Sequence, residues 1–355
     1  MTLLALCAAL AAGCGGGGSD GSDDDQPFAP AATVTSEPTE ASRLAVSPGL
    51  PELATKNTTR VASADTAAIA AGVALAVHPS ATAETRPAAV SLVDTSNWRA
   101  AISAAQLVGA GVRAPVLFTS GTQLPEVTRS ALARLRPSGV AGLRGAQVIR
   151  IATPAGAAGL SETVVEGARP AALAAAIDSL HSRATGRIGE GVVVASLDEP
   201  ALAMPAAGWA AKSGDPVLWT GRDELPRETV AAIRRRDDPS IAVLGSKEAI
   251  GRAVMRRLEA LGDVERIAGA DAVAGAIAFA RFRRGSFGWG VTDPGHGLVI
   301  ASPARPAAAA AAAPLSAAGS YGPLLLSSGD DVPAALREYL LDIRPGYESD
   351  PVRGV

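Results

Sequence analysis

The amino-acid sequence predicts an α/β fold built from three tandem modules, each with a parallel sheet covered by helices. A phrase of eleven residues occurs three times, as PVLFTSGTQLP at 115–125, PVLWTGRDELP at 216–226 and PLLLSSGDDVP at 323–333. The phrases start 101 and 107 residues apart, which is the length of a small domain and longer than a solenoid repeat. Around them, apolar strand-like runs alternate with helices of small residues, a pattern typical of parallel sheets covered on both faces.

The N-terminus carries an apolar run that ends in LAAGC at 10–14 and is followed by four glycines. The run is too short to span a bilayer. The ending resembles the lipobox of a bacterial lipoprotein signal peptide, which implies that residues 1–14 are a signal peptide, that Cys14 is acylated, and that the protein is extracytoplasmic and held at a membrane. No Lys or Arg precedes the apolar run, so we expect the natural start to lie further upstream.

Residues 15–57 are rich in Gly, Ser, Asp, Pro and Thr and predict a disordered tether. The first 50 residues hold six acidic residues and one basic residue, so residues 51–355 hold 31 basic and 29 acidic residues. This near balance predicts no strong field for nucleic acid, and we expect no nucleic-acid partner.

The three modules are predicted at residues 58–160, 161–262 and 263–355. Each begins its repeated pattern with an apolar strand, at 89–93, 191–195 and 297–301, and continues with a helix of small residues. The third of these helices contains the alanine tract at 307–313. The repeated phrase then supplies a second strand and a proline, which we expect at the first position of the next helix.

The second module continues with a strand at 241–245, a helix that carries Val254 and Leu258, and the run VERI at 264–267, which leads into the third module. The third module has no counterpart of these elements before Val355. A parallel sheet that lacks a strand exposes an apolar edge. We therefore expect the sequence to be a fragment that lacks the end of the third module.

Short motifs within these repeats resemble the cell wall-binding repeat type 2 family, whose modules usually occur in threes on surface proteins of Gram-positive bacteria. The motifs are RIAGAD at 266–271, RVASAD at 60–65, the strands of the repeated phrase, and VLGS at 243–246. The resemblance covers most of residues 58–355. It implies three Rossmann-like or Toprim-like sandwiches around a pseudo-threefold axis, and a non-catalytic protein that binds an anionic secondary polymer of the cell wall. The chain has Ala100, Ala201 and Ala308 where the family usually has aspartate.

Arginine side chains are the expected contacts for an anionic polymer, because the guanidinium group presents a planar fork of donors to phosphate or carboxylate. The local concentrations of arginine are Arg234, Arg235, Arg236, Arg256, Arg257, Arg281, Arg283 and Arg284. Solvated helix ends, where positive charge suits the helix dipole, are the alternative interpretation of the same residues. Tryptophans could stack on sugars, but Trp209 and Trp219 fall at core-like positions.

The sequence shows no catalytic constellation. Polar residues follow the predicted strands, among them Asp94, Thr119 and Asp198, but a polar residue there also opens a turn or a helix. The three histidines lie far apart and form no metal-ligand spacing, and neither a Gly-x-Ser-x-Gly motif nor a phosphate loop occurs. We therefore expect no enzymatic activity, no metal and no cofactor.

A solute-binding lipoprotein of a transport system is the alternative function, because it would share the lipobox, the tether and the α/β content. Such receptors form two lobes around one cleft, whereas this chain repeats its phrase three times. A hydrolase ranks third.

Overall fold

The computed structural model describes residues 53–54, 58–318, 322–328 and 331–345. The predicted signal peptide, Cys14 and nearly all of the predicted tether lie outside these residues. The fold is α/β, as predicted, with parallel strands that alternate with helices. The strands are β1 (Leu53–Ala54), β2 (Thr59–Arg60), β3 (Val90–Asp94), β4 (Val116–Thr119), β5 (Val148–Ile151), β6 (Glu162–Val165), β7 (Gly191–Ser196), β8 (Val217–Thr220), β9 (Ser240–Leu244), β10 (Asp263–Ile267), β11 (Val299–Ala301) and β12 (Leu324–Leu326). The helices are α1 (Thr66–Val77), α2 (Trp98–Ala104), α3 (Glu126–Leu135), α4 (Pro170–Thr185), α5 (Pro200–Ser213), α6 (Arg227–Ile233), α7 (Arg252–Glu259), α8 (Ala272–Arg281), α9 (Ala307–Ala317) and α10 (Ala334–Ile343).

The strands of the three modules form three separate parallel sheets. The first has the order β4-β3-β5-β6 and the second the equivalent order β8-β7-β9-β10. The third sheet consists of β11 and β12 within the described part of the chain. Equivalent positions face each other in all three sheets, since Leu92 pairs with Leu117, Val194 with Leu218 and Ile300 with Leu325. Strands β1 and β2 form a short antiparallel pair apart from these sheets.

The fourth strand of each complete sheet comes from the start of the next sequence repeat. Strand β6 pairs with β5, and β10 pairs with β9, although both strands follow the end of the repeat whose sheet they complete. The helix after each of these strands then packs on the following module, since α4 packs on β8 and α8 packs on β12. Consecutive modules are therefore joined by a strand that completes the sheet of one module and a helix that packs on the sheet of the next.

The second helices of the three modules, α2, α5 and α9, pack against one another at the centre of the molecule. The helices that precede them repeat the pattern in a cycle, because α4 packs on α2, α8 on α5, and α1 on α9. Polar contacts join the modules as well: Arg99 Nε donates to Leu197 O at 2.7 Å, and Arg305 Nη1 donates to Ser63 O at 2.7 Å. The cyclic helix contacts give the modules the expected pseudo-threefold arrangement.

Small residues allow the central helices to approach closely. The alanine tract at 307–313 is helical and buried, which confirms the prediction of an ordinary packed helix. A Cβ atom at Gly208 would lie 2.9 Å from Ser316 Oγ and 3.2 Å from Leu324 Cβ, so α5 lies against the third module at this glycine.

The repeated phrase forms the second strand of each sheet and the loop that follows it. Strands β4, β8 and β12 are buried along their whole length. The prediction for the prolines was wrong by one residue. Pro125, Pro226 and Pro333 have extended ψ angles of 149°, 142° and 143°, so each is the N-cap and the helix begins one position later. None of the helices in the described ranges is both long and apolar enough to cross a membrane.

Candidate functional site

The polar residues that follow the strands support the loops at the carboxyl edges of the sheets. Asp94 accepts hydrogen bonds from the backbone N–H of Ser96 at 2.9 Å and of Gly121 at 2.6 Å, so it ties together the loops after β3 and β4. Although partial burial raises the pKa of Asp94, its hydrogen bonds with Ser96 and Gly121 lower that pKa below the usual value. Asp94 is thus a charged group whose oxygens accept hydrogen bonds from the loops.

The threonines that end β4 and β8 are also engaged inside the protein. Thr119 Oγ1 lies 2.8 Å from Thr153 Oγ1, and both residues are buried. Thr220 Oγ1 donates to Glu224 O at 3.0 Å in the loop before α6. Asp198, by contrast, is exposed. Of these candidates for chemistry, only Asp198 is both ionisable and open to solvent.

A cleft of about 450 Å³ opens at the carboxyl ends of β9 and β10. Open α/β sheets bind ligands at this edge. Its apolar wall includes Leu202, Leu244 and Ile267, and its charged lining residues are Glu199, Glu248 and Asp271. Sequence reasoning did not predict this cleft, although Asp271 lies in the RIAGAD motif. The side chain of Asp271 accepts from Ala274 N at 2.8 Å and so caps α8.

Arg266 stabilises the backbone next to this cleft. Its guanidinium group donates to Gly245 O, Ser246 O and Ile250 O at 2.7, 2.8 and 2.7 Å. Partial burial lowers the pKa of Arg266 from its usual value. The arginine of the RIAGAD motif therefore holds the loop after β9, while the charged lining of the cleft is acidic. An anionic polymer would be repelled by this lining.

The three consecutive arginines after α6 have different environments. Arg234 is exposed. Arg236 is buried and forms a bidentate pair with Asp178 of α4, with Nη2–Oδ1 at 2.7 Å and Nη1–Oδ2 at 3.1 Å. Arg235 Nη1 also contacts Asp178 Oδ2 at 3.1 Å, and Gln106 Nε2 donates to Asp178 Oδ1 at 3.1 Å. Arg235 and Arg236 therefore hold the end of α6 to α4 within the second module, and Gln106 connects the first module to the same carboxylate.

The remaining predicted arginines lie on the surface of the second and third modules. Arg256 and Arg257 are exposed on α7, and Arg257 Nη1 makes a long hydrogen bond of 3.3 Å to Leu225 O. Arg281 pairs with Asp342 at 2.7 Å and lies over the ring of Tyr339. Arg284 pairs with Asp263 and Glu265, both at 2.7 Å, whereas the exposed Arg283 donates to Gly285 O at 3.1 Å. The structure thus divides the predicted set into buried, paired and open side chains.

The tryptophans at core-like positions pack inside the protein. Trp209 lies against Phe279, Phe287 and Trp289, and its Nε1 donates to Asp215 Oδ2 at 2.8 Å. Burial raises the pKa of Asp215, which the indole hydrogen bond partly opposes. Trp219 is fully buried and donates to Ser103 Oγ of the first module at 2.9 Å.

Two solved structures of proteins from Clostridium difficile, Cwp6 and Cwp8, have a similar fold. Cwp6 matches with a TM-score of 0.64 and 15% sequence identity over 83% of this chain and 46% of its own. Cwp8 matches with a TM-score of 0.63 and 17% identity over 79% of this chain and 46% of its own. The chain therefore spans less than half of either protein. No protein-family profile matches the sequence, and no curated protein matches it in sequence.

Proposed function

We propose that this protein is a non-catalytic component of the cell envelope that binds an anionic secondary polymer of the cell wall. The observation that carries the proposal is the ring of three modules, a fold shared with the cell wall proteins Cwp6 and Cwp8. The family resemblance of the repeated motifs supports the same function. A transport receptor, which is the alternative, would form two lobes around one cleft, whereas this fold has three modules around an axis.

The open arginines are the contacts that we propose for the polymer. Arg256 and Arg257 are exposed neighbours on α7, and Arg234 and Arg283 are exposed on the second and third modules. None of these four side chains forms an ion pair with a residue that the structure describes, so an anion reaches the guanidinium groups without displacing such a partner. Arg236 takes no part, because Asp178 holds it inside the protein, and Arg235 contributes less, because it is only 29% exposed and pairs with the same carboxylate. Arg281 and Arg284 contribute less, because a ligand must replace their surface carboxylate partners.

The absence of catalysis is part of the same proposal. Asp94 and Thr119, which follow strands of the first sheet, are committed to hydrogen bonds within the loops. Within the described residues, no group of three or more His, Cys, Asp or Glu side chains could hold a metal ion. Acylation of Cys14 would keep the modules at the membrane while the tether allows them to reach the wall.

Sedimentation with isolated Gram-positive cell walls tests the proposal. We expect the full chain to sediment with intact walls and to remain in solution with walls from which the secondary polymers have been extracted. Because several arginines share the contact, the double variant Arg256→Ala/Arg257→Ala should bind about tenfold more weakly, which corresponds to about 1.4 kcal/mol. High salt should weaken binding of the unaltered chain.

The control variant is Arg129→Ala/Arg134→Ala, which removes the same charge from α3 of the first module and should bind like the unaltered chain. Equal sedimentation with intact and stripped walls would exclude a secondary polymer as the ligand. Equal losses in the two double variants would show that net charge, not the α7 arginines, determines binding. Incorporation of a labelled fatty acid, abolished by Cys14→Ser, checks the lipid anchor in cells.

A further inference from the structure

The cleft at the carboxyl ends of β9 and β10 is left unused by the arginines that we propose for the polymer, since none of them lines it. Its volume of about 450 Å³ is in the range of clefts that hold small molecules. An apolar wall is formed by Leu244 and Ile267, the last residues of these strands, and by Leu202 and Pro205 of α5. Such a wall favours a ligand with an apolar part.

The equivalent loop of the first module folds back onto its own sheet. The loops after β5 and β9 start alike, because Ala152 N–H donates to the last residue of β6 and Gly245 N–H to the last residue of β10, both at 3.0 Å. Beyond this point Thr153 and Ala155 are buried, and Thr153 Oγ1 contacts the threonine that ends β4. Residues 246–248, in contrast, are partly or fully exposed, and the cleft opens beside them.

Acceptor groups dominate the polar lining of the cleft. Its charged residues are Glu199, Glu248 and Asp271, and none of the described residues that line it is Lys or Arg. Pro205 lies inside α5 and has no N–H, so the carbonyl of Ala201, one turn earlier, lacks its usual helical donor. Both of these residues line the cleft. The wall therefore carries a backbone acceptor in addition to the acidic side chains.

The arginines near the cleft are held by other groups. Arg266 donates to three backbone carbonyl oxygens in and after the loop that follows β9. Arg222 pairs with the aspartate that follows it at 2.9 Å. A hydrogen bond from Ser246 lowers the pKa of Glu248. The charges of Lys247 and Arg222 lower that pKa further, so Glu248 is a carboxylate at neutral pH.

We propose that this cleft binds a small aliphatic amine, with its ammonium group at the acidic lining and its hydrocarbon chain against the apolar wall. Complementarity determines the head group, because a primary ammonium carries a positive charge and three donors but no acceptor. A carboxylate or phosphate in the same place would be repelled by the acidic residues. The proposal does not depend on polymer binding, since the two sites share no residue.

Hexylammonium chloride, added to the full chain, is a suitable probe. 1-Hexanol and sodium hexanoate carry the same hydrocarbon chain on other head groups, and methylammonium carries the same head group without the chain. Hexylammonium should shift the amide NMR signals of Gly245 and Gly275, which both line the cleft. It should bind at least tenfold more tightly than hexanol or methylammonium, and hexanoate should cause no shift.

The double variant Glu199→Gln/Glu248→Gln keeps the shape of two exposed side chains and should weaken the binding of hexylammonium at least tenfold. Glu224→Gln/Glu259→Gln is the matched control, because it removes the same charge from exposed residues of the same module that do not line the cleft. This control should bind like the unaltered chain. Gly275→Leu should abolish binding, since a side chain at this lining residue has space to enter the cleft.

Three results would each overturn the proposal. Equal affinities for hexylammonium and hexanol would show that the carboxylates do not select the head group. Equal losses in the two double variants would show that net charge, not the cleft, attracts the amine. An absence of shifts at Gly245 and Gly275 would show that the amine does not enter the cleft. If Gly275→Leu fails to fold, the comparison of the two double variants decides the question.

Discussion

Asp178 and Arg236 form an ion pair inside the protein, with each side chain only 1% exposed. The sequence presents Arg234, Arg235 and Arg236 as one basic cluster at a helix end, for which solvation or ligand binding are both reasonable predictions. The structure separates them because Asp178 lies on another helix, 58 residues earlier than Arg236. A local pattern cannot reveal a partner so distant in sequence, so the buried members of the set could not be predicted.

Removal of Arg236 should destabilise the protein strongly. The variant Arg236→Met leaves the buried Asp178 carboxylate with Arg235 and Gln106 as its remaining partners, and we expect the free energy of unfolding to fall by about 3 kcal/mol. Urea denaturation followed by circular dichroism measures the change. Arg234→Met, at the exposed end of the same run, should change the free energy by less than about 0.5 kcal/mol.

The double variant Asp178→Leu/Arg236→Met separates the pair from its surroundings. Because it removes both buried charges, it should recover much of the stability lost in Arg236→Met. A double variant less stable than Arg236→Met would contradict this account of the pair.

His78, which follows α1, makes stability depend on pH. Burial and the nearby charge of Arg113 lower its pKa from 6.5 to about 4. Between these values the unfolded chain binds a proton that the native protein does not, so the free energy of unfolding decreases as the pH falls from 6.5 towards 4. The contribution of this residue reaches about 3 kcal/mol at most. Above pH 6.5 both states carry neutral His78 and the contribution is constant.

The variant His78→Gln should flatten this pH dependence, as measured by urea denaturation at several pH values. Identical slopes for His78→Gln and the unaltered chain would exclude His78 as the group responsible.

At the scale of single elements, the sequence predicted the strands and helices well. The predicted strand at 191–195 is observed as Gly191–Ser196, and the predicted helix that contains the alanine tract at 307–313 is observed as Ala307–Ala317. These elements are dictated by local apolar patterns. The partners of the strands were harder to predict, because β10 follows a repeat boundary in sequence and nevertheless completes the preceding sheet. Strand pairing depends on contacts between modules, and the spacing of the repeated phrase does not reveal these contacts.

Substitution by alanine should have opposite effects on stability at Gly109, in the loop after α2, and at Gly275, in α8. A Cβ at Gly109 would lie 2.4 Å from Ala211 O of α5, so Gly109→Ala forces the first module away from that helix and should cost about 1 to 3 kcal/mol. Gly275 lies within α8, and outside the backbone of this helix the atom nearest to its Cβ would be Gly269 N at 3.8 Å. Gly275→Ala should therefore stabilise the protein by about 0.5 to 1 kcal/mol through helix propensity.

Thermal and urea denaturation of both alanine variants measure these changes. A loss of stability in both would mean that α8 does not tolerate a side chain at Gly275. A gain in both would mean that the contact between Gly109 and α5 relaxes without cost.

At the scale of the whole molecule, the repeated phrase correctly predicted three modules, and the family resemblance implied their pseudo-threefold arrangement. The candidate site was less predictable. The acidic cleft beside β9 and β10 depends on Glu199, Glu248 and Asp271, which come from separate segments and share no sequence motif. The sequence predicted arginines as the contacts for the polymer, but only the structure distinguishes the exposed Arg256 and Arg257 from the buried Arg236.

The three modules should unfold together. Helices α2, α5 and α9 bury one another, and α4 and α8 pack on two modules at once, so no module keeps its core when a neighbour unfolds. We expect a single urea transition with the same midpoint by tryptophan fluorescence and by circular dichroism. Two separated midpoints would show that at least one module is stable by itself.

The contact of α1 with α9 closes the ring between the first and third modules, and this closure limits how such a protein changes in evolution. In an open array, duplication or deletion of a repeat changes length but leaves every interface intact. Here a fourth copy would find both of its docking faces already occupied, and the loss of one copy would uncover two faces. The number of copies is thus fixed by rotational geometry, whereas loops at the rim remain free to diverge.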